Sequence, residues 1–235
     1  MVQDFKKSGK RNVYLKSICF GYLAIGILLI IIFLCANRLT YWQGWLFGAV
    51  NMIIITILFT VFSELSEVVK DRMKPGEGTK WWDKIFWAIY GPMNLAIVII
   101  ASLDAGRFFW SPPFHALLYI GAYILYMFSN AIHLWAIITN EFYVSTVRIQ
   151  DSEGQSVIQH GPYKYVRHPG YLGISCMLLC IALVLGSLWA LLPVAAVWSL
   201  LIVRTFLEDK TLHKELPGYF AYAQHVKFRL FPGIW

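Results

Sequence analysis

Chemistry-bearing side chains are concentrated between His160 and Gly173, which reads HGPYKYVRHPGYLG and lies directly ahead of a long apolar run. Gly161-Pro162 and Pro169-Gly170 impose turns and leave backbone amides available. Arg167 and His168 supply donors suited to a carboxylate or phosphate, while Tyr163, Tyr165 and Tyr171 supply flat, amphipathic walls. These residue types fit a pocket for an anionic, partly aromatic ligand. The competing reading is an interfacial loop whose Arg and Tyr reach only for lipid headgroups. A second constellation follows downstream. Arg204 and Glu208 are spaced i, i+4 at the end of the last apolar helix, so their side chains can meet on one face, with Asp209 directed elsewhere. Such a pair is ordinarily a surface ion pair of small worth. Its nearness to the first motif makes it a site candidate, and the amphipathic segments Gly218 to Tyr222 and Phe228 to Trp235 would close a lid over it.

The elements that position these residues are dictated by an apolar solvent. Of the 235 residues 58% are hydrophobic and only 14% charged, too apolar for a water-soluble domain of this length. Crossing about 30 Å of hydrocarbon takes roughly 20 apolar residues in a helix. Ser17 to Ala36, Gly44 to Ser63, Ile85 to Leu103 and Phe114 to Ile138 each suit one crossing. Tyr171 to Val203 is too long for one and is interrupted by Gly186-Ser187 and Pro193, which predicts a helical hairpin. The expected fold is therefore all-α, a multi-pass bundle of four crossings and a C-terminal hairpin, ending in an amphipathic cytoplasmic tail. It divides into N-terminal helices over 1–138 and a ligand-binding, catalytic region over 139–235, with the hairpin at 171–203.

Basic residues accumulate on the cytoplasmic side of membrane proteins. With the N-terminus inside, 18 of the 20 Lys and Arg fall on cytoplasmic segments, leaving Arg38 and Arg107 outside. Both termini are then cytoplasmic, and the hairpin brings Arg204 and Glu208 back to the face that carries His160 to Gly173. The first apolar run is full length and has no small-residue cleavage signature, so it reads as a transmembrane helix and not a signal peptide. A net charge of +7 suits anionic lipid headgroups and comes with no nucleic-acid motif.

Other features have plainer readings. Cys19, Cys35, Cys176 and Cys180 all fall in apolar helices as small hydrophobes, and no ligand spacing supports a metal site. Trp42, Trp45, Trp81, Trp82, Trp110 and Trp235 stand near span ends, as interfacial anchors do. Asn130 and His133 share a helix face and would either face a cavity or, the first expectation, form an interhelical hydrogen bond. The crossings are almost free of ionisable groups, which argues against an ion or proton pathway. Glu64 to Lys84 reads as a solvated connection.

Taken together, His160-Gly161-Pro162-Tyr163, Arg167-His168-Pro169-Gly170-Tyr171 with Gly173, Arg204 with Glu208-Asp209, Gly218-Tyr219 with Tyr222, and Arg229-Leu230-Phe231-Pro232-Gly233 resemble the isoprenylcysteine carboxyl methyltransferase and phospholipid methyltransferase superfamily. The resemblance is specific over 140–235. Upstream it rests on the helix pattern and on Asp104, Arg107, Trp110 and Ser111. It implies S-adenosylmethionine as methyl donor, held without a Rossmann unit by His160, Gly161, Pro162, Tyr163, Arg167, His168, Pro169, Tyr171, Gly173 and Glu208. Arg204 would orient the acceptor, acting with Glu208, and Tyr219 or Tyr222 would shape the pocket. Asp209 stands where the family often has a second glutamate. The implied acceptor is a lipophilic or small molecule, a prenylcysteine carboxylate first among them, with a phospholipid amine or a small thiol as alternatives. Two other readings are a nicotinamide-dependent membrane reductase akin to sterol reductases, and a lipid-binding membrane protein without turnover.

Overall fold

In the computed structural model, residues 2–61, 76, 78–150 and 154–235 are described, with the side chains of 2–17 and 61 left aside. Among them every regular element is a helix. The elements are α1 (Val2–Ala36), α2 (Trp42–Val61), α3 (Trp81–Ala101), α4 (Ala116–Thr139), α5 (Pro169–Val184), α6 (Leu191–Glu215) and α7 (Tyr219–His225). Helix α3 continues into a π-helical stretch, Ser102–Phe108, and a short 3-10 turn, Gly161–Lys164, precedes α5. Five helices are long and apolar enough to cross a bilayer, and α5 is a shorter apolar sixth. The expected multi-pass helical bundle is what the chain forms.

The predicted hairpin is α5 and α6, joined at Leu185 to Ala190. Gly186 makes the turn at φ +81, and a Cβ there would lie 2.7 Å from the Tyr119 hydroxyl. Only glycine meets both demands without strain. Pro193 is not part of the break. It sits in the first turn of α6, where a missing N–H costs no intrahelical bond.

A buried carboxylate ties the turn down. Asp104, in the π-helical stretch, accepts hydrogen bonds from Ser111 N (2.6 Å), Ser111 Oγ (2.5 Å) and Ser187 Oγ (2.5 Å). Leu188 N then donates to Ser111 Oγ and Ala190 N to Ser187 Oγ. Nearby, the Tyr41 hydroxyl donates to the Leu185 carbonyl. The Asp104 to Ser111 segment thus fastens the end of the bundle remote from the polar motif.

Helix α5 lies closely along α4. A Cβ at Gly173 would fall 2.9 Å from His133 N and Ser129 O, so the backbones approach too tightly for a side chain. The interhelical bond expected of His133 forms here, its Nδ1 lying 3.2 Å from Gly170 O. Asn130 instead bonds within its own helix, to Tyr126 O. The main core runs through Ile32, Tyr41, Ile97, Leu178, Val197 and Leu201, and large apolar side chains such as Phe20, Leu34, Ile124 and Phe128 cover the outside, as a lipid-facing surface requires.

At the opposite end from Gly186, the start of α3, the end of α4, the start of α5 and the last turns of α6 converge. With 16 residues, α5 spans about 24 Å, less than the hydrocarbon thickness of about 30 Å. The polar motif ahead of it is therefore drawn toward the apolar layer.

Candidate functional site

The convergence forms a cavity of about 810 Å³, including its opening to solvent, walled by residues within 140–148 and 155–158, the Tyr163 to Tyr171 motif, Glu208 and Leu212 of α6, and Tyr219 and Tyr222 of α7. The sequence motif, the tail and the end of the hairpin meet around one space. Individual residues are placed differently from one another.

Tyr163, Arg167, His168, Tyr171 and Glu208 line the cavity. Glu208 keeps a side-chain exposure of 21% and accepts a 2.5 Å hydrogen bond from the Tyr171 hydroxyl. The His168 and Tyr171 rings stack in parallel with centroids 5.7 Å apart. The other motif residues shape the backbone. His160 is exposed and caps the 3-10 turn through its carbonyl, and Gly161 adopts φ +59 against Thr139 and Trp135. Pro162 and Pro169 are buried at helix starts, and Gly173 serves the α4–α5 approach described above. Proline's fixed φ and absent donor suit both starts.

Arg167 is committed to the protein itself. It is 7% exposed, its Nε lies 2.9 Å from Asp209 Oδ1, and its Nη2 donates to Asp209 Oδ2 at 3.1 Å. Nη1 donates to the carbonyls of Ala223, Val226 and Lys227, which end α7. A guanidinium there satisfies carbonyls that have no partner inside the helix. The backbone amides of Arg167 and His168 donate to Phe228 O and Arg229 O, and the Tyr222 hydroxyl donates to Tyr163 O. The tail is thereby held against the cavity as one of its walls.

Asp209, directed away from Arg204, is the hub of that arrangement. Besides Arg167 it accepts from Arg229 Nε at 2.8 Å and from the Tyr219 hydroxyl at 2.9 Å. His168 Nε2 is 3.5 Å away without a well-directed hydrogen bond.

Arg204 and Glu208 are also not each other's direct partner. Arg204 Nε lies 2.9 Å from Asp83 Oδ1, and Nη2 donates to Ser145 O at 2.6 Å. The guanidinium carbon rests over the rings of Phe86, Trp87 and Tyr171 at 4.3, 5.1 and 5.2 Å. Only through the Tyr171 ring does it reach the side chain that bonds Glu208.

Asp83 was hidden inside the stretch Glu64 to Lys84 read as solvated. Residues 64–75 and 77 lie outside those described, but Asp83 belongs to the first turn of α3 and is fully buried. The legible signal was Trp81-Trp82, interfacial anchors that begin the helix one turn earlier than the apolar run does. Tyr143 and Asn140 were likewise missed. Tyr143 lines the cavity against Gly170, and Asn140 Nδ2 donates to the Tyr163 hydroxyl.

Burial raises the phenols of Tyr143, Tyr163, Tyr219 and Tyr222 above their ordinary range, with Asp209 adding to the rise at Tyr219. These phenols are thus neutral hydrogen-bonding groups across ordinary pH. The four cysteines are free thiols.

Fold and site define a multi-pass helical membrane protein with a polar, tyrosine-rich cavity at one end of its bundle. Residues 122–214, from α4 through the end of α6, match the model of the Isoprenylcysteine carboxyl methyltransferase (ICMT) family. The match supports the resemblance carried by the motifs, over the part of the chain that holds the polar motif and the helical hairpin. No curated protein matches the chain.

Proposed function

We propose that the chain transfers a methyl group from S-adenosylmethionine, bound in the cavity beneath α7, to a lipophilic acceptor that arrives from the bilayer, a prenylcysteine carboxylate first among them. The observation that carries this reading is Glu208, a partly exposed carboxylate on a cavity rich in tyrosine, where Arg167 is already held by Asp209. Its free lone pairs suit the donor's ammonium or ribose hydroxyls, and the rings of Tyr143, Tyr163, Tyr219 and Tyr222 suit the adenine and the sulfonium. The group therefore fits the residues present.

Bound there, S-adenosylmethionine supplies an electrophilic methyl carbon, which the acceptor's lone pair takes in line while the C–S electron pair returns to sulfur. What this asks of the protein is alignment more than acid or base help. Arg204 is assigned to orient the acceptor from the bilayer side of Tyr171, and Glu208 to fix the donor. Arg167, Pro162, Pro169, Gly161 and Gly173 are assigned to hold the cavity's shape, with Tyr163, His168 and Tyr171 touching the donor and His160 at its rim. The chain is read as cytoplasmic at both termini and at the cavity, so that donor enters from water and acceptor from lipid.

The test is calorimetric titration of purified protein with S-adenosylmethionine, together with methyl-labelled donor and S-farnesyl-N-acetylcysteine as acceptor. Glu208→Ala is expected to weaken donor binding at least tenfold, about 1.4 kcal/mol. Arg204→Ala is expected to keep donor binding and lose transfer. Wild-type protein that does not bind the donor overturns the reading.

A further inference from the structure

Asp83 is fully buried, yet it does not line the cavity. Its two oxygens face different elements. Oδ1 lies 2.9 Å from Arg204 Nε on α6, and Oδ2 accepts from Val147 N at 2.9 Å in the loop that walls the cavity. Arg204 closes the triangle by donating to Ser145 O, which also accepts from Trp87 Nε1 at 3.3 Å. A buried cation without its counterion has no stable position, and a planar guanidinium is oriented by the acceptor it faces. From Arg204 the line continues through the Tyr171 ring to the hydroxyl that donates to Glu208.

We propose that Asp83 is a positioning residue of the methyl-transfer site, setting the plane of Arg204 and the seat of the Ser145 to Val147 wall from the first turn of α3. The proposal rests on the reading of Arg204 as the residue that orients the acceptor. It gives the N-terminal helices a part in the chemistry, since α3 lies outside the region matched to the family. It also explains a carboxylate buried at the start of a membrane-spanning helix, a position where an unpaired charge is strongly disfavoured.

The variant that isolates the effect is Asp83→Asn, which keeps the side chain's volume and an oxygen for Val147 N while removing the charge opposite Arg204. Transfer to S-farnesyl-N-acetylcysteine is expected to fall at least tenfold in kcat/KM for the acceptor, with donor affinity by calorimetry within threefold of wild type. Asp83→Glu is expected to recover part of the loss. In an Arg204→Lys background, which keeps measurable transfer, Asp83→Asn is expected to cause much less than the loss it causes alone, because both changes disturb the same oriented group. A purely structural role predicts the contrary pattern, equal weakening of donor and acceptor and additive losses, and that pattern overturns the proposal. Should Asp83→Asn fail to fold, the milder Asp83→Glu carries the same comparison against Arg204→Lys. Wild-type transfer with undiminished transfer by the folded variant overturns this proposal alone, whereas wild-type protein without donor binding or transfer overturns it together with the reading on which it rests.

Discussion

Two buried aspartates take up the arginines that the sequence offers to a ligand. Asp209 holds Arg167 and Arg229, and Asp83 holds Arg204. Neither pairing was legible, because helical spacing pairs only neighbours three or four apart, and these partners come from different helices. A buried pair is costly to break because the surviving charge stays desolvated. Asp209→Asn is therefore expected to destabilise the protein by about 3–5 kcal/mol, seen as a lower thermal unfolding midpoint in detergent. The exposed Lys80–Glu215 pair is the control, since its loss should move stability by less than about 1 kcal/mol. Similar midpoints for the two variants would show that Asp209 does not hold the tail. The tyrosines give a pH dependence of defined sign. Their folded pKa values are raised by burial above the unfolded value of about 10, so the stability they contribute is complete below that pH and is lost as pH rises beyond it. Unfolding midpoints should stay level from pH 8 to about 9.5 and fall above about 10. A midpoint that does not fall through pH 11 would mean these phenols are not desolvated in the fold.

At the scale of elements, more of the molecule could be read in advance. The hairpin followed from a run too long for one crossing, and Gly186 marks its turn because only glycine accepts that φ beside Tyr119. The span ends shifted by a few residues where polar side chains continue a helix beyond its apolar run, as at Trp81. The tail closes over the cavity as a wall, anchored by Arg167 on the carbonyls that end α7. No periodicity reveals that, since it depends on a turn of seven residues meeting a loop far back in the chain. Glycines of the motif act between elements, which gives a separable prediction. Gly173→Ala places a methyl against the backbone of α4 and is expected to cost about 1–3 kcal/mol by overpacking. Asp104→Asn loosens the remote turn, and unfolding midpoints should fall for both variants. Calorimetry should separate them, with donor affinity reduced by Gly173→Ala, whose helix begins at the cavity, and unchanged within twofold by Asp104→Asn. Equal donor affinities would mean that the seating of α5 on α4 does not reach the site.

For the whole molecule, the question is which aqueous face the cavity meets. Six apolar helices alternate in direction, so the cavity and both chain ends fall on the same side of the bundle, while the Asp104 to Ser111 segment and the Gly186 turn fall on the other. Among the described basic residues, Arg38 and Arg107 lie at the remote end, while Arg148, Lys164, Arg167 and Arg229 lie at the cavity end. Arg38 is held there by the Ala105 carbonyl and the Phe109 ring, so its charge is part of the structure and not a misplaced topogenic signal. This geometry fits a donor made in the cytoplasm and an acceptor delivered by lipid, and it can be tested apart from any activity. Lys164→Cys, an exposed position beside the cavity, should react with a membrane-impermeant maleimide only in inverted vesicles or after permeabilisation. Trp110→Cys, exposed at the remote end, should react in intact cells. The native thiols give little background, because Cys19 lies in the apolar part of α1 and the other three are at least partly covered by neighbouring helices. Labelling of Lys164→Cys in intact cells, with Trp110→Cys protected, would invert the topology and put the cavity out of reach of a cytoplasmic donor, whatever its affinity in detergent.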